Sequence, residues 1–305
     1  LAHVPEEDFR SRLMAAGLLV ATEVDGIYLR SGAFESVARA IDNLVSAAGA
    51  HENAEVLHLP AVMPRSVLEK SAYVRAFPDL VGSVSTFEGN DALHVEILRR
   101  LERGEDWAEL LSRSDVVLCS AACHLVYPTC RGRLPEGGRR FEVFGQCFRH
   151  EPSLDPARMQ AFRMHEFVYL GDAASAVAHR DVWLVRAAQI LGALGLPVTA
   201  VLASDPFFGR AGKLLSANQR AEALKHEIVT SVQPGEGPVA VASSNCHLDH
   251  FGRGFGIDTA EGTVAHSACV GFGTERITLA LLAAHGLDPA RWPSSVRDQL
   301  WPSAG

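Results

Sequence analysis

Apolar residues recur at helical spacing twice near the start of the chain. They do so over residues 8–19 and again over 32–48, where Phe34, Val37, Ala38, Ile41, Leu44 and Val45 share one face. These stretches predict two surface helices flanking a short hairpin with Asp25-Gly26 at its turn. Residues 57–63 form an apolar run of strand length that stops at Pro64, and 65–77 return to helical periodicity before Pro78. From Asp115 onward the texture changes. Residues 116–119, 140–148 and 162–170 have strand composition and are separated by turn clusters such as Pro135-Glu136-Gly137-Gly138. A long apolar helix is predicted over 174–194, opened by Asp172 and closed by Gly195. Strands at 198–202, 238–243 and 251–257 follow, then a helix over 274–285 ended by Gly286. Strands far outnumber short crossovers, and helices gather at the start, middle and end. The expected class is therefore α+β, an antiparallel sheet flanked by helices rather than a doubly wound parallel one.

Composition bounds what this sheet can do. At 305 residues and 48% apolar, the chain has ample core for one large or two ordinary domains, and its charges are too evenly mixed for disorder. The expected division is a short helical and hairpin segment over 1–50 packed on a main domain over 51–305. Thirty-six acidic residues against 28 basic ones give a net charge of −8. A protein that grips nucleic-acid backbone broadly needs a basic stripe, so that class is disfavoured. No apolar run reaches the ~18 residues of a membrane span without a charge or turn residue. Cys119, Cys123, Cys130, Cys147, Cys246 and Cys269 lie at irregular spacings. They form no disulfide framework and fit a reducing cytoplasm, with buried thiols or one metal or redox site among them. The arginine-rich run 131–140 reads as a solvated loop.

Two clusters carry candidate chemistry. The first is Phe144-Gly145-Gln146-Cys147-Phe148-Arg149-His150-Glu151, joined by a loop to Gln160-Ala161-Phe162-Arg163-Met164-His165-Glu166-Phe167. Strand alternation directs Arg149 and Glu151 to one face. A guanidinium and a carboxylate so placed can grip a phosphate oxygen and a ring amine of one ligand, or form a surface ion pair. The second is a strand that runs through Gly271-Phe272-Gly273 into a helix whose first turn carries Glu275 and Arg276. Glycines there allow close backbone approach, and an arginine at a helix start suits a polyphosphate.

Together, Phe-Arg-x-Glu, a loop, a second strand and, about 120 residues further on, Gly-x-Gly-x-Glu-Arg resemble motifs 2 and 3 of the class II aminoacyl-tRNA synthetases. The resemblance implies that Arg149 holds the ATP α-phosphate, Glu151 reads the adenine amine and Arg276 holds the γ-phosphate. The segment from His58 to Arg65 is similar to motif 1 and implies a homodimer. Ser243-Ser244-Asn245-Cys246 followed by Asp249-His250-Phe251 resembles the seryl branch, which adds Ser244 and Asn245, with Glu166, as amino-acid-binding residues. Only about 50 residues precede the motif 1-like strand, without charged heptads, so no long tRNA-binding arm is expected. The chain therefore resembles the truncated seryl synthetase homologues that act as amino acid:carrier protein ligases, and the similarity covers nearly its whole length. Residues 121–128 and 162–167 look like signature pieces of that group.

In that group, and in the atypical archaeal seryl enzymes, Zn²⁺ is held by two cysteines and a glutamate, which implies Cys123, Glu166 and Cys269 here. Cys119 and Cys130 compete with Cys123 for the first position. Three ligands leave one tetrahedral position open for the substrate amine. The implied reaction is ATP-dependent activation of glycine or alanine, with serine third. Transfer to the phosphopantetheine thiol of a carrier protein follows. The alternatives are seryl-type tRNA aminoacylation and a silent paralogue serving as a binding subunit. One departure concerns Mg²⁺: Val239-Ala240-Val241-Ala242 lacks the acidic residue that seryl synthetases carry there. An acidic carrier would need a local basic patch, either Arg131, Arg133, Arg139 and Arg140 or Arg210, Lys213 and Arg220, and 213–230 read as a candidate partner-facing helix.

Overall fold

The computed structural model describes residues 8–205, 208, 219–220, 222–233 and 237–302. Among them, one seven-stranded sheet organises the molecule. In chain order its strands are Glu55–Leu59 (β1), Arg139–Phe148 (β2), Ala161–Gly171 (β3), Thr199–Leu202 (β4), Lys225–Thr230 (β5), Val239–Leu248 (β6) and His266–Gly273 (β7). They lie side by side as β4-β5-β6-β7-β3-β2-β1. Each neighbouring pair is antiparallel except β1 with β2, which run parallel at the edge.

Three helices cover one face of the sheet: Gly32–Gly49 (α1), Ala173–Ala193 (α2) and Thr274–His285 (α3). Ser31 caps α1 by accepting the Phe34 N–H, and Phe34, Val37, Ile41 and Val45 then fall on the buried side. Asp172 caps α2 in the same way through Ser175, and Trp183 of that helix stacks on Phe167 of β3 at 4.3 Å. Burying an aromatic of this size contributes about 1.5–3 kcal/mol. At the end of α1 a Cβ on Gly49 would fall 2.1 Å from the Phe167 ring, so only glycine lets the helix close on the sheet. The other face carries a second layer. It is built from a small sheet of Val62–Pro64, Ser83–Thr86 and Ser112–Leu118, two 3-10 turns at Ala122–Leu125 and Tyr127–Cys130, and the helix His250–Phe255.

Several expectations change. The apolar run 57–63 is two strands, because the chain leaves the main sheet after Leu59 and Val62–Pro64 joins the second layer. Residues 65–77 form two short helices, Arg65–Lys70 and Tyr73–Ala76, separated by Ala72 at φ 59°. The stretch expected as a strand over 251–257 is mostly helix, since Phe251 and Phe255, one turn apart, both pack on Tyr127. Of the expected partner-facing helix 213–230, the part over 225–230 is β5, and Lys213 lies outside the described residues, as does Arg210. The 131–140 run is not simply solvated: Arg139 pairs with Glu55 at 2.6 Å and Arg140 lies over the Tyr169 ring. All six cysteines are buried and unpaired by disulfides. No helix of the described residues is long and apolar enough to cross a membrane.

Candidate active site

Alternation along β3 decides which side chains meet. His165 and Phe167 face the helices, whereas Glu166 faces the second layer and lines a cleft of about 760 Å³ between the layers. The neighbouring strand β7 brings Cys269 to the same face, and the 3-10 turn at Ala122–Leu125 brings Cys123 against both. The ligand atoms of Cys123, Glu166 and Cys269 lie within 4.8 Å of one another, and all three residues are buried.

Crowding and burial set the electrostatics of this trio. Both carboxylate oxygens of Glu166 are buried without a hydrogen-bond partner. Burial, and then the nearby charge of Cys269, push its pKa up to about 8. The Cys269 thiol is lowered well below its ordinary value, first by a hydrogen bond from Cys123 and then by His247 and Asn245. Cys123 is raised correspondingly by that same hydrogen bond, by burial and by Glu166. Two sulfurs and an orphaned carboxylate, packed together and open to a cleft, fit a tetrahedral cation with soft-ligand preference better than they fit a water-filled pocket. Cys119 and Cys130 are not in this group. Cys119 donates to the Ala121 carbonyl, and Cys130 sits beside Thr129 and Arg139.

Another part of the cleft carries two guanidiniums among carboxylates. β2 ends at Phe148, but the Arg149 N–H still donates to the Gln160 carbonyl, which keeps the hairpin closed where its side chain enters the cleft. Arg149 Nε donates to the Ser120 carbonyl at 3.2 Å and its guanidinium lies over Phe162. Glu151 lines the same wall, with Arg158 at 3.9 Å. Arg276, in the first turn of α3, donates to the Ala157 and Ala240 carbonyls at 2.7 and 3.0 Å. Burial, and then the facing charge of Arg149, lower the Arg276 pKa. Two guanidiniums anchored by neutral carbonyls, with Glu151 near both, give this part of the cleft a place that could receive a polyanion.

Asn245 also faces the cleft, within 3.7 Å of Cys269 Sγ. Ser244 does not. It is fully buried, and its hydroxyl donates to the Arg180 carbonyl of α2 at 2.8 Å, because strand alternation turns it to the helix face. Its neighbour Ser243 lines the cleft instead.

Two features were not legible in the sequence. Glu275 accepts from the Arg163 backbone N–H and Nε, both at 2.7 Å, and from Arg30 at 3.1 Å, while Glu35 bridges the same two arginines. This network ties the N-terminal hairpin to β3 and to the start of α3. His247, on β6, contacts both Ser267 and Cys269. Nothing in local spacing marks partners this far apart.

A comparison with family models gives no match. Two proteins of Bradyrhizobium diazoefficiens are similar to this chain, both named as amino acid–acyl-carrier-protein ligases. Ligase 1 is 41% identical over 280 residues, covering 90% of this chain and 85% of that protein. Ligase 2 is 42% identical over 277 residues, covering 90% and 83%. Among solved structures, the seryl-tRNA synthetase of Methanopyrus kandleri, in complex with an A. aeolicus tRNA, superposes with a TM-score of 0.82 at 20% identity, over 96% of this chain. This chain spans 60% of the length of that one, and the likeness fixes the fold as class II synthetase-like.

Proposed function

The chain belongs to the amino acid–acyl-carrier-protein ligase family, and from that premise we propose that it activates a small amino acid with ATP and loads it onto the phosphopantetheine thiol of a carrier protein. The observation that carries this reading is the pairing, in one cleft, of a polyanion seat with the Cys123, Glu166 and Cys269 trio.

In the first step a carboxylate oxygen of the amino acid attacks the α-phosphorus of ATP, giving aminoacyl-adenylate and pyrophosphate. No protein nucleophile takes part. Arg149 neutralises charge on the α-phosphate, Arg276 holds the γ-phosphate and Glu151 accepts from the adenine amine, so catalysis is positioning and charge stabilisation. In the second step the carrier thiol sulfur attacks the acyl carbon, AMP leaves and the thiol proton goes to solvent. Cys123, Glu166 and Cys269 would hold Zn²⁺, which when bound supplies an electrophilic position for the substrate α-amine. Mg²⁺ would accompany the ATP phosphates, and residues 239–242 offer it no carboxylate. Glycine and alanine are the preferred substrates in this reading, with serine third, and Asn245, which lines the cleft, would contact the amino acid. In this reading the His58 to Arg65 segment, which begins in the edge strand β1, builds a homodimer, and the acceptor is the carrier rather than tRNA.

Amino-acid-dependent pyrophosphate exchange tests the first step, with glycine, alanine and serine offered in turn; no exchange with any of them would sink the proposal. Labelled product offered to both tRNA and a holo carrier protein then decides the acceptor. Cys269→Ala should lose zinc and activation together, and zinc retained by elemental analysis would refute the ligand set.

A further inference from the structure

We infer that His247 holds Cys269 in its metal-ligating orientation, a positioning residue acting through an N–H···S hydrogen bond; the inference rests on the zinc reading above. The backbone of β6 prepares it. Pairing with β7 steps from Cys246 opposite Ala268 to Leu248 opposite Ser267, leaving His247 as the extra residue of a β-bulge. Leu248 follows at φ 51°, in the left-handed region. Bulges of this kind re-aim a side chain, here onto two β7 residues that share the cleft face.

The ring bridges both of them. Its Nδ1 is 3.0 Å from Ser267 Oγ and its Nε2 is 3.6 Å from Cys269 Sγ. Phe251 and Tyr127 meet it edge-on, with centroids at 4.9 and 6.3 Å, which limits rotation of the imidazole. A neutral imidazole has one donor and one acceptor nitrogen. A metal-bound thiolate carries no proton, so Nε2 must donate to the sulfur and Nδ1 must accept from the Ser267 hydroxyl. The thiolate thus selects the tautomer, and Ser267 supports it by donating to Nδ1. Asn245 Nδ2 donates to the same sulfur at 3.7 Å, so two N–H groups fix the lone pairs that remain after ligation.

His247 is not itself a ligand in this geometry, since the close group comprises Cys123, Glu166 and Cys269 without it. It acts through Cys269. Partners of this kind orient a ligand and are worth roughly 10–100-fold in metal affinity.

The test measures the zinc dissociation constant by competition with a chromophoric chelator, and the sulfur-to-cobalt charge-transfer band after Co²⁺ substitution. Wild type, His247→Ala, His247→Gln and Ser267→Ala are compared. His247→Ala should bind zinc about 10–100-fold more weakly and shift the cobalt band. His247→Gln, which can present an N–H in place of Nε2, should recover most of both. Ser267→Ala should lose part of the affinity, because the buried Nδ1 is left without its donor and the ring is held less firmly. A His247→Ala protein with wild-type affinity and an unshifted band overturns the inference, and so does a Gln variant no better than Ala. If His247→Ala does not fold, the Gln and Ser267→Ala proteins decide: unchanged affinity in Ser267→Ala with loss in Gln counts against the donor role. Wild type that binds no zinc overturns the zinc reading and this inference together. Zinc bound by wild type but indifferent to His247 overturns this inference alone.

Discussion

Glu275→Ala should be among the most destabilising single substitutions in this chain. The carboxylate is 2% exposed and accepts three N–H groups, two from Arg163 and one from Arg30. Hydrogen bonds to charged groups each contribute about 1.5–3 kcal/mol, yet the three cannot simply be added. Glu35 still contacts Arg30 at 2.8 Å and Arg163 at 2.7 Å, so neither guanidinium is left wholly unpaired. The Arg163 backbone N–H, however, loses its acceptor. Removing one partner of a buried ion pair typically costs about 3–5 kcal/mol. The arginines are 16% and 21% exposed, so the lower end, about 3 kcal/mol, is expected. Against a typical total of about 5–15 kcal/mol this is a large shift in the urea midpoint, readable through tryptophan fluorescence because Trp183 is fully buried. Glu275→Gln, which keeps a neutral acceptor for the backbone N–H, should cost clearly less. A Glu275→Ala unfolding free energy within about 1 kcal/mol of wild type, the scale of an exposed pair, would refute the claim that this network fastens the hairpin to α3.

Two further outcomes are expected. Arg149→Ala or Arg276→Ala should lower pyrophosphate exchange about 10²–10³-fold, and Arg149→Lys should not restore it, because a point charge does not reproduce a guanidinium anchored on the Ser120 carbonyl; exchange near the wild-type rate would remove Arg149 from the phosphate seat. His179 on α2 is buried, donates to the Phe167 carbonyl at 3.2 Å, and burial lowers its pKa below the ordinary 6.5. The unfolded chain therefore binds the extra proton first, so the stability held by neutral His179 is complete above pH 6.5 and is lost as pH falls below it. His179→Gln should flatten the acid limb of the stability curve by up to about 1.4 kcal/mol per pH unit, and an unchanged limb in urea titrations at stepped pH would show that His179 does not contribute.

Much of this architecture was legible in the sequence where periodicity and caps agree. The predicted helix 274–285 matches α3, and the predicted strands 140–148 and 162–170 are β2 and β3 less one or two end residues. Arg149, Glu151, Glu166, Asn245, Cys269 and Arg276 all line the cleft, as does Cys123. Failures occur where tertiary context overrides local composition. Phe251 and Phe255 have strand-like composition, yet their partner Tyr127 lies far away in the chain and selects a helix. The helix Asp91–Arg103 was missed although Asn90 caps it and Gly104 ends it in the left-handed region, a signal that was available. The side chain of Ser244 points away from the cleft, because motif likeness picks out a segment, whereas the pleat decides which of its side chains enter the cleft. The links from Glu275 to Arg163 and Arg30 have no local signature at all.

The pleat of β6 carries a consequence for how such a chain can change over evolutionary time. Ser243 and Asn245 look into the cleft, while Ser244 is bonded to α2. Substitutions along this strand are judged one residue at a time, but loss or gain of a residue that no bulge absorbs, as the bulge at His247 absorbs its extra residue, would exchange the two faces at once. It would carry an amide into the apolar helix layer and present the cleft with side chains selected for packing. The strand should therefore vary in letters but hold its length, and insertions that diversify relatives of this chain should fall in the connections between strands instead.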